Sequence, residues 1–235
     1  MIPWLNNHEL TFPAVETALD EPNGLLAVGG DLSQSRLLLA YSLGIFPWFS
    51  KGEPILWWSP PKRMVVFPHA LRITRSLAKT LRNKSYEIRV DTAFRSVIEA
   101  CALPRSECAA TWITSEMIEA YCCLFAAGFA HSFETWVDGV LVGGLYGVGL
   151  GRMFYGESMF SIQKDASKLA FVHMVQHLGA HGVSMIDCQM YTPHLASLGA
   201  CQIVRQDFIV RLKEQVTLPE HPHVWRYHHI SSKRN

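Results

Sequence analysis

No uninterrupted apolar run in this 235-residue chain approaches the ~18–20 residues that a membrane span needs. Charged residues are sparse, at 17%, while hydrophobic residues reach 49%, a balance that excludes an intrinsically disordered chain. Mean hydropathy is only +0.11, so a soluble protein with a real core is expected. The start, Met1-Ile2-Pro3-Trp4, has no basic flank or apolar stretch, and no secretion leader is expected. Nucleotide-loop and hydrolase signatures are also missing: there is no GxSxG elbow and no GxxxxGK(S/T) loop. Gly147, Gly149 and Gly151 fail the GxGxxG spacing, and a tight turn between strands is expected there.

Cysteine is present but badly placed for a disulfide framework or a zinc site. The six thiols, at 101, 108, 122, 123, 188 and 201, form no CxxC pair. Such use of thiols suits a reducing compartment, so a cytoplasmic location is expected. His173, His177 and His181 recur at helical spacing without a Glu or Asp to complete a metal site; a partly exposed helix face is expected, and metal none. The tail histidines His221, His223, His228 and His229 receive no function.

What the chain does have is segregated charge. Residues 1–61 carry six acids against Arg36 and Lys51, a net of −4, whereas residues 62–89 carry eight bases against Glu87, a net of +7. Residues 90–235 return to −2, and the whole chain to +1. Within the basic block Arg72, Arg75, Lys79 and Arg82 are spaced 3, 4 and 3, one face of a helix expected over 71–83, with Ile73, Leu77 and Leu81 as an apolar row. Four cations with no interleaved acid read either as a patch that tracks nucleic-acid phosphates or as an ordinary surface helix. Such a patch positions a polyanion without reading its sequence.

Periodicity and turn chemistry divide the chain at Pro60-Pro61 into a small aromatic-rich unit, 1–61, and a larger unit, 62–235. A helix inside 31–44 begins at Asp31 or Ser33 and ends at Gly44. The larger unit alternates. Strands are expected at 64–67, 86–90, 131–137, 140–148, 152–155, 184–188 and 200–205, with helices at 71–83, 92–102, 115–127, 164–179, 193–198 and 207–216. Asp138-Gly139 between two alternating runs is a hairpin signal. The expected class is α/β (α+β) on a mixed, largely antiparallel sheet.

Three segments exceed structural need. The aromatics of Gly44 to Phe49 and of Trp57-Trp58-Ser59-Pro60 precede the basic block, and read either as faces beside cations on which single-stranded nucleic acid stacks or as a small domain filling its core with tryptophan. Tyr155 to Ser161 reads as a polar break carrying Glu157 after an apolar strand. In Ile186-Asp187-Cys188-Gln189, strand alternation would put Asp187 and Gln189 on one side, about 7 Å apart.

Together with Glu21 to Leu32, Thr111-Trp112-Ile113-Thr114, Gly156 to Ser161 and Ala196 to Ala200, these motifs closely resemble the leucyl/phenylalanyl-tRNA–protein transferases over roughly residues 8–215. The resemblance implies transfer of Leu or Phe, with Met as a further donor amino acid, from Leu-tRNA or Phe-tRNA to the N-terminal Arg or Lys of acceptor proteins, tagging them for N-end rule degradation. It implies a small N-terminal domain plus a C-terminal domain of the acyl-CoA N-acyltransferase type. It places a catalytic couple on Asp187 and Gln189, and adenine-stacking rings on Trp48 and Trp112. It also places an aminoacyl pocket at Leu145, Phe154, Glu157 and Phe171, and tRNA binding on Arg72, Arg75, Lys79, Arg82 and Lys84. No cofactor is expected: Ser161-Ile162-Gln163-Lys164-Asp165-Ala166 lacks the glycine-rich loop of coenzyme A users. A monomer is expected, with no membrane partner. In the family's scheme Asp187 polarises the Gln189 amide, which accepts from the attacking amine; a neutral amide orients better than it deprotonates. Two competing readings are a coenzyme-A-dependent N-acetyltransferase and a non-enzymatic RNA-binding module.

Overall fold

The structure, a computed structural model, describes residues 2–103 and 112–232. Cys108 and Thr111 lie outside the described residues. A small sheet in the order β1-β2-β4-β3 forms from β1 (Trp4–Leu5), β2 (Leu25–Gly29), β3 (Phe46–Pro47) and β4 (Leu56–Trp58), with helix α1 (Gln34–Ser42) between β2 and β3. The Ser33 side chain accepts from Arg36 N and caps α1, a contact worth about 1 kcal/mol. The aromatic density of this region therefore builds strands as short as two residues, too short to show a period of two in sequence.

The larger sheet has eight strands among the described residues: β5 (Lys62–Val66), β6 (Tyr86–Val90), β7 (Ala130–Val137), β8 (Val140–Leu150), β9 (Met153–Ser161), β10 (Met185–Asp187), β11 (Cys201–Val204) and β12 (His228–Ser231). Their order is β11-β5-β10-β9-β8-β7-β6-β12, and within it only β9 and β10 run parallel. Asp138 (φ 51°) and Gly139 (φ 75°) form the two-residue turn between β7 and β8, both left-handed as a tight hairpin requires. Gly147 and Gly149 lie within β8 rather than in a turn. A Cβ on Gly147 would stand 2.2 Å from the Tyr155 carbonyl oxygen, and one on Gly149 2.6 Å from the Trp225 ring.

Helices α2 (Arg75–Asn83), α3 (Phe94–Ala102), α4 (Ser115–Ala126), α5 (Ala166–Ala180), α6 (Pro193–Ser197) and α7 (Arg205–Val216) cover the sheet. Alternation along the strands splits the core in two. Tyr146, Tyr155 and Val65 join a cluster with α1, α3, α4, α7 and the small sheet, while Leu145, Phe154 and Met64 join one with α5 and Leu77 of α2.

Three expectations need correction. Helix α2 begins at Arg75, because Thr74 Oγ1 accepts from Leu77 N at 3.2 Å; Arg72 and Ile73 precede it in extended chain. The segment 156–161, expected as a polar break, continues strand β9 paired to β8. Of the α5 histidines, His177 and His181 are partly exposed as expected, but His173 is not, because the C-terminal segment packs over it. His173 is buried between the hydroxyls of Tyr86 (3.0 Å) and Tyr227 (2.7 Å), and Trp225 stacks on His131 with centroids 3.5 Å apart. β12 then pairs with β6.

Burial, with His229 nearby, lowers the His173 pKa from 6.5 to about 4. A histidine held neutral in the fold binds more protons when unfolded. Its contribution is therefore complete above pH 6.5 and disappears as the pH falls to about 4. Urea unfolding followed across that window should show a loss of about 3 kcal/mol from this group. The slope should flatten in His173→Gln, and an unchanged slope would assign the acid sensitivity elsewhere.

Candidate functional site

Strands β9 and β10 pair only as far as Tyr155 and Asp187. Beyond that point the chain after β10 keeps only its other partner, β5: Cys188 N donates to Met64 O (2.8 Å) and Met64 N to Gln189 O (3.1 Å). Strand β9 runs straight on, so the two parallel strands part. The gap opens a cavity of about 550 Å³, mostly apolar, with Glu157, Gln189 and Ser158 among its few polar walls.

A register shift between β8 and β9 sets Glu157 apart. Gly147 faces Gly156 and Tyr146 faces Ser158, so Glu157 is the extra residue of a β-bulge, a device that re-aims a side chain. Its carboxylate is buried and accepts three hydrogen bonds, from Tyr41 Oη (2.8 Å), Tyr121 Oη (3.1 Å) and Gln189 Nε2 (2.7 Å). The two tyrosine hydroxyls also lie within hydrogen-bond reach of one another; with one proton each they make two of the three contacts among Tyr41, Tyr121 and Glu157 at a time, and the third when Glu157 itself carries a proton. Burial pushes the Glu157 pKa up to about 7, opposed by the Tyr41 and Tyr121 hydrogen bonds. Near neutral pH this carboxyl therefore exists in both protonation states, a property suited to proton handling.

Asp187 is fully buried and forms a two-pronged pair with Arg63, Nε to Oδ1 at 2.8 Å and Nη2 to Oδ2 at 2.6 Å. The expectation that Asp187 engages the Gln189 amide is corrected. Asp187 Oδ1 instead accepts from the backbone N–H of Gln189 (2.8 Å), and the Gln189 side chain donates to Glu157. Gln189 sits at φ 59°, outside the strand, so the same-side alternation did not apply; a left-handed turn brings its amide to the cavity. Asp187 holds the backbone of Gln189, and Glu157 holds its side chain.

Of the aminoacyl-pocket residues named from the resemblance, Leu145, Glu157 and Phe171 line this cavity, as do Trp48 and Trp112. Phe154 does not. It is fully buried in the α5 cluster, with Trp225 as its ring neighbour. Arg72, Arg75, Lys79 and Arg82 lie at the surface, and no carboxylate pairs with them among the described residues. Lys84 differs: its Nζ donates to Gln163 Oε1 at 2.8 Å.

Sequence reasoning missed Arg63, Tyr41 and Tyr121. For Arg63 a signal existed, since it shares a strand face with Val65 and a charge on a buried face demands a partner. Tyr41 and Tyr121 carried none: each occupies an apolar helix position where an aromatic ring is ordinary core.

Comparison with known proteins agrees with this geometry. Residues 65–213 match the model of the leucyl/phenylalanyl-tRNA protein transferase family, and residues 30–61 the model of its N-terminal domain. A leucyl/phenylalanyl-tRNA–protein transferase of Chromobacterium violaceum is 66% identical over 97% of this chain and 98% of that protein. One of Nitrosospira multiformis is 60% identical over the same shares, and one of Laribacter hongkongensis 54% over 98% and 99%. The chain belongs to this family.

Removing one partner of a buried ion pair strands the other charge. Arg63→Met should cost about 3–5 kcal/mol in urea unfolding, and adding Asp187→Leu to it should recover much of that loss. A single variant as stable as the wild type would show that the pair is not desolvated as described.

Proposed function

We propose that this member of the leucyl/phenylalanyl-tRNA–protein transferase family joins Leu or Phe, carried by its tRNA, to the N-terminal Arg or Lys of an acceptor protein. The observation that carries this reading is a buried carboxylate–amide couple, Glu157 and Gln189, at the polar end of an apolar cavity. In this reading the aminoacyl side chain lies against Leu145, Phe171 and Met174. The terminal adenosine stacks on Trp48, 43% exposed, and on Trp112. Residues 1–61 thus contribute one ring of the adenosine site and residues 62–235 the rest.

The ester bond is already activated, so the reaction needs no nucleotide hydrolysis. The acceptor amine attacks the ester carbonyl, the C–N bond forms, the C–O bond to the ribose breaks, and the amine proton ends on the departing 3′ oxygen. Gln189, donating through Nε2 to Glu157, keeps its amide oxygen for the attacking amine and orients it; alignment of this kind is worth several kcal/mol, on the order of 7–11 in the best cases. Glu157 supplies the negative charge that an N-terminal Arg or Lys seeks. Asp187 does not, because Arg63 already neutralises it. Asp187 is a positioning residue. The surface bases Arg72, Arg75, Lys79 and Arg82, with Lys84 at their end, hold tRNA phosphates. The reading includes action as a cytoplasmic monomer in N-end rule degradation.

Incubation with Phe-tRNA or Leu-tRNA and a peptide beginning with Arg tests the reading directly: labelled Phe or Leu should appear on the peptide. No transfer, together with tight acetyl-coenzyme A binding, would favour an acetyltransferase. Gln189→Asn tolerates the left-handed backbone but withdraws the amide by one methylene. It should lower kcat about ten- to a thousand-fold and leave tRNA affinity unchanged, whereas weakened affinity with intact kcat would make the residue structural. Charge reversal at Arg75 and Lys79 should weaken tRNA binding and flatten the slope of log K against log salt by roughly 0.7–0.9 for each phosphate released. An aminoacyl-adenosine donor should not sense it; equal loss on both donors would return α2 to an ordinary solvated face.

A further inference from the structure

At the cavity mouth stands one large aromatic that the fold does not use. Tyr191 lines the cavity, is 55% exposed, and has no hydrogen-bond or ring partner among the described residues. Met190 beside it is 42% exposed. Neither serves the core, and exposed apolar surface next to a site marks contact with something else.

The path leading away from Tyr191 identifies that partner. Helix α6 follows directly, its first turn capped by Thr192. At its far end Leu198 O accepts from Arg72 N at 2.9 Å, and a Cβ on Gly199 would lie 2.2 Å from Ala70 O, so the two segments touch without an intervening side chain. Tyr191 and Arg72 thus stand at the two ends of one short helix, itself about 7.5 Å long at 1.5 Å per residue. From Arg72 the chain enters α2 with Arg75, Lys79 and Arg82. Cavity, exposed ring and unpaired cations form one continuous track. That track attracts a polyanion, whereas the cationic end of an acceptor polypeptide is drawn to the buried Glu157 in the same cavity.

We propose that Tyr191 stacks the base of the nucleotide preceding the terminal adenosine, and that Arg72 pairs with a phosphate of the same single-stranded 3′ end. This rests on the transferase reading above and adds a contact to it. A ring with one polar tip holds any base by its face and leads the strand from the basic helix into the cavity.

The test measures kcat/KM with three Phe donors at a fixed acceptor peptide: full tRNA, the trinucleotide C-C-A, and adenosine alone. Tyr191→Ala should lower it about ten-fold for tRNA and for the trinucleotide, through KM, as expected for one base–aromatic stack. Tyr191→Phe should keep wild-type values with both, and neither variant should alter the adenosine donor. Equal loss on all three donors, no loss on any, or a change confined to the KM of the acceptor peptide overturns the assignment. Wild-type protein inert toward all three would overturn the transferase reading itself, and the stack with it.

Discussion

One buried guanidinium holds the two sheets and the site in register. Arg63 pairs with Asp187 through two nitrogens and donates from its third, Nη1, to Gly44 O at 3.0 Å. Its face lies between the rings of Phe46 and Phe208, 4.6 and 4.7 Å from their centroids. The small sheet, α7, β5 and β10 therefore all meet at one charge. Lysine could not replace it, because a point charge has neither a fork for the carboxylate nor a flat face for two rings. The pair sits where water cannot screen it, and its removal by halves is costly for the same reason. Its stabilising value is modest against desolvation; what it supplies is position.

That position matters because the chain loses one of its two ladder partners one residue later. Asp187 is the last residue of β10 to face β9, and the next bonds go to β5. Had the chain stayed paired with β9, backbone hydrogen bonds would close the space between the strands and no gap would open there. The bulge at Glu157 works against the same gap from the opposite strand. One strand turns away and the other gains a residue, and a carboxylate and an amide meet at the opening.

Elements with strong local signals were legible in the sequence. The Thr114 cap and Gly128 delimit α4, Asp138-Gly139 turns β7 into β8, and Tyr86 to Val90 alternates as expected. The site was legible mainly in its type of residue. Trp48, Trp112, Leu145, Glu157, Phe171 and Gln189 were named and share one cavity. Their connections were not legible, since they depend on a bulge, a left-handed residue and the loss of a ladder partner, none of which leaves a periodic trace. Phe154 was misplaced for the same reason: naming a strand as the pocket wall does not say which of its faces turns to the pocket. His173 of α5 was misjudged because its partner Tyr227 comes from the tail, some fifty residues away.

Charge on this surface separates what the reaction must bring together. The two substrates of the proposed transfer carry opposite charges at their reacting ends, a polyanionic tRNA and a cationic amino terminus. A site of uniform sign would hold one and repel the other. Among the described residues, surface cations without a carboxylate partner run from Arg72 along α2, while the carboxylate lining the cavity is Glu157, buried and bonded by the neutral groups of Tyr41, Tyr121 and Gln189. Asp187 would have doubled that negative charge beside the reacting ester, and the guanidinium of Arg63 cancels it. The remaining carboxyl has its pKa near 7, so its charge responds to what arrives: an approaching cation favours ionisation, and an empty apolar cavity favours the proton.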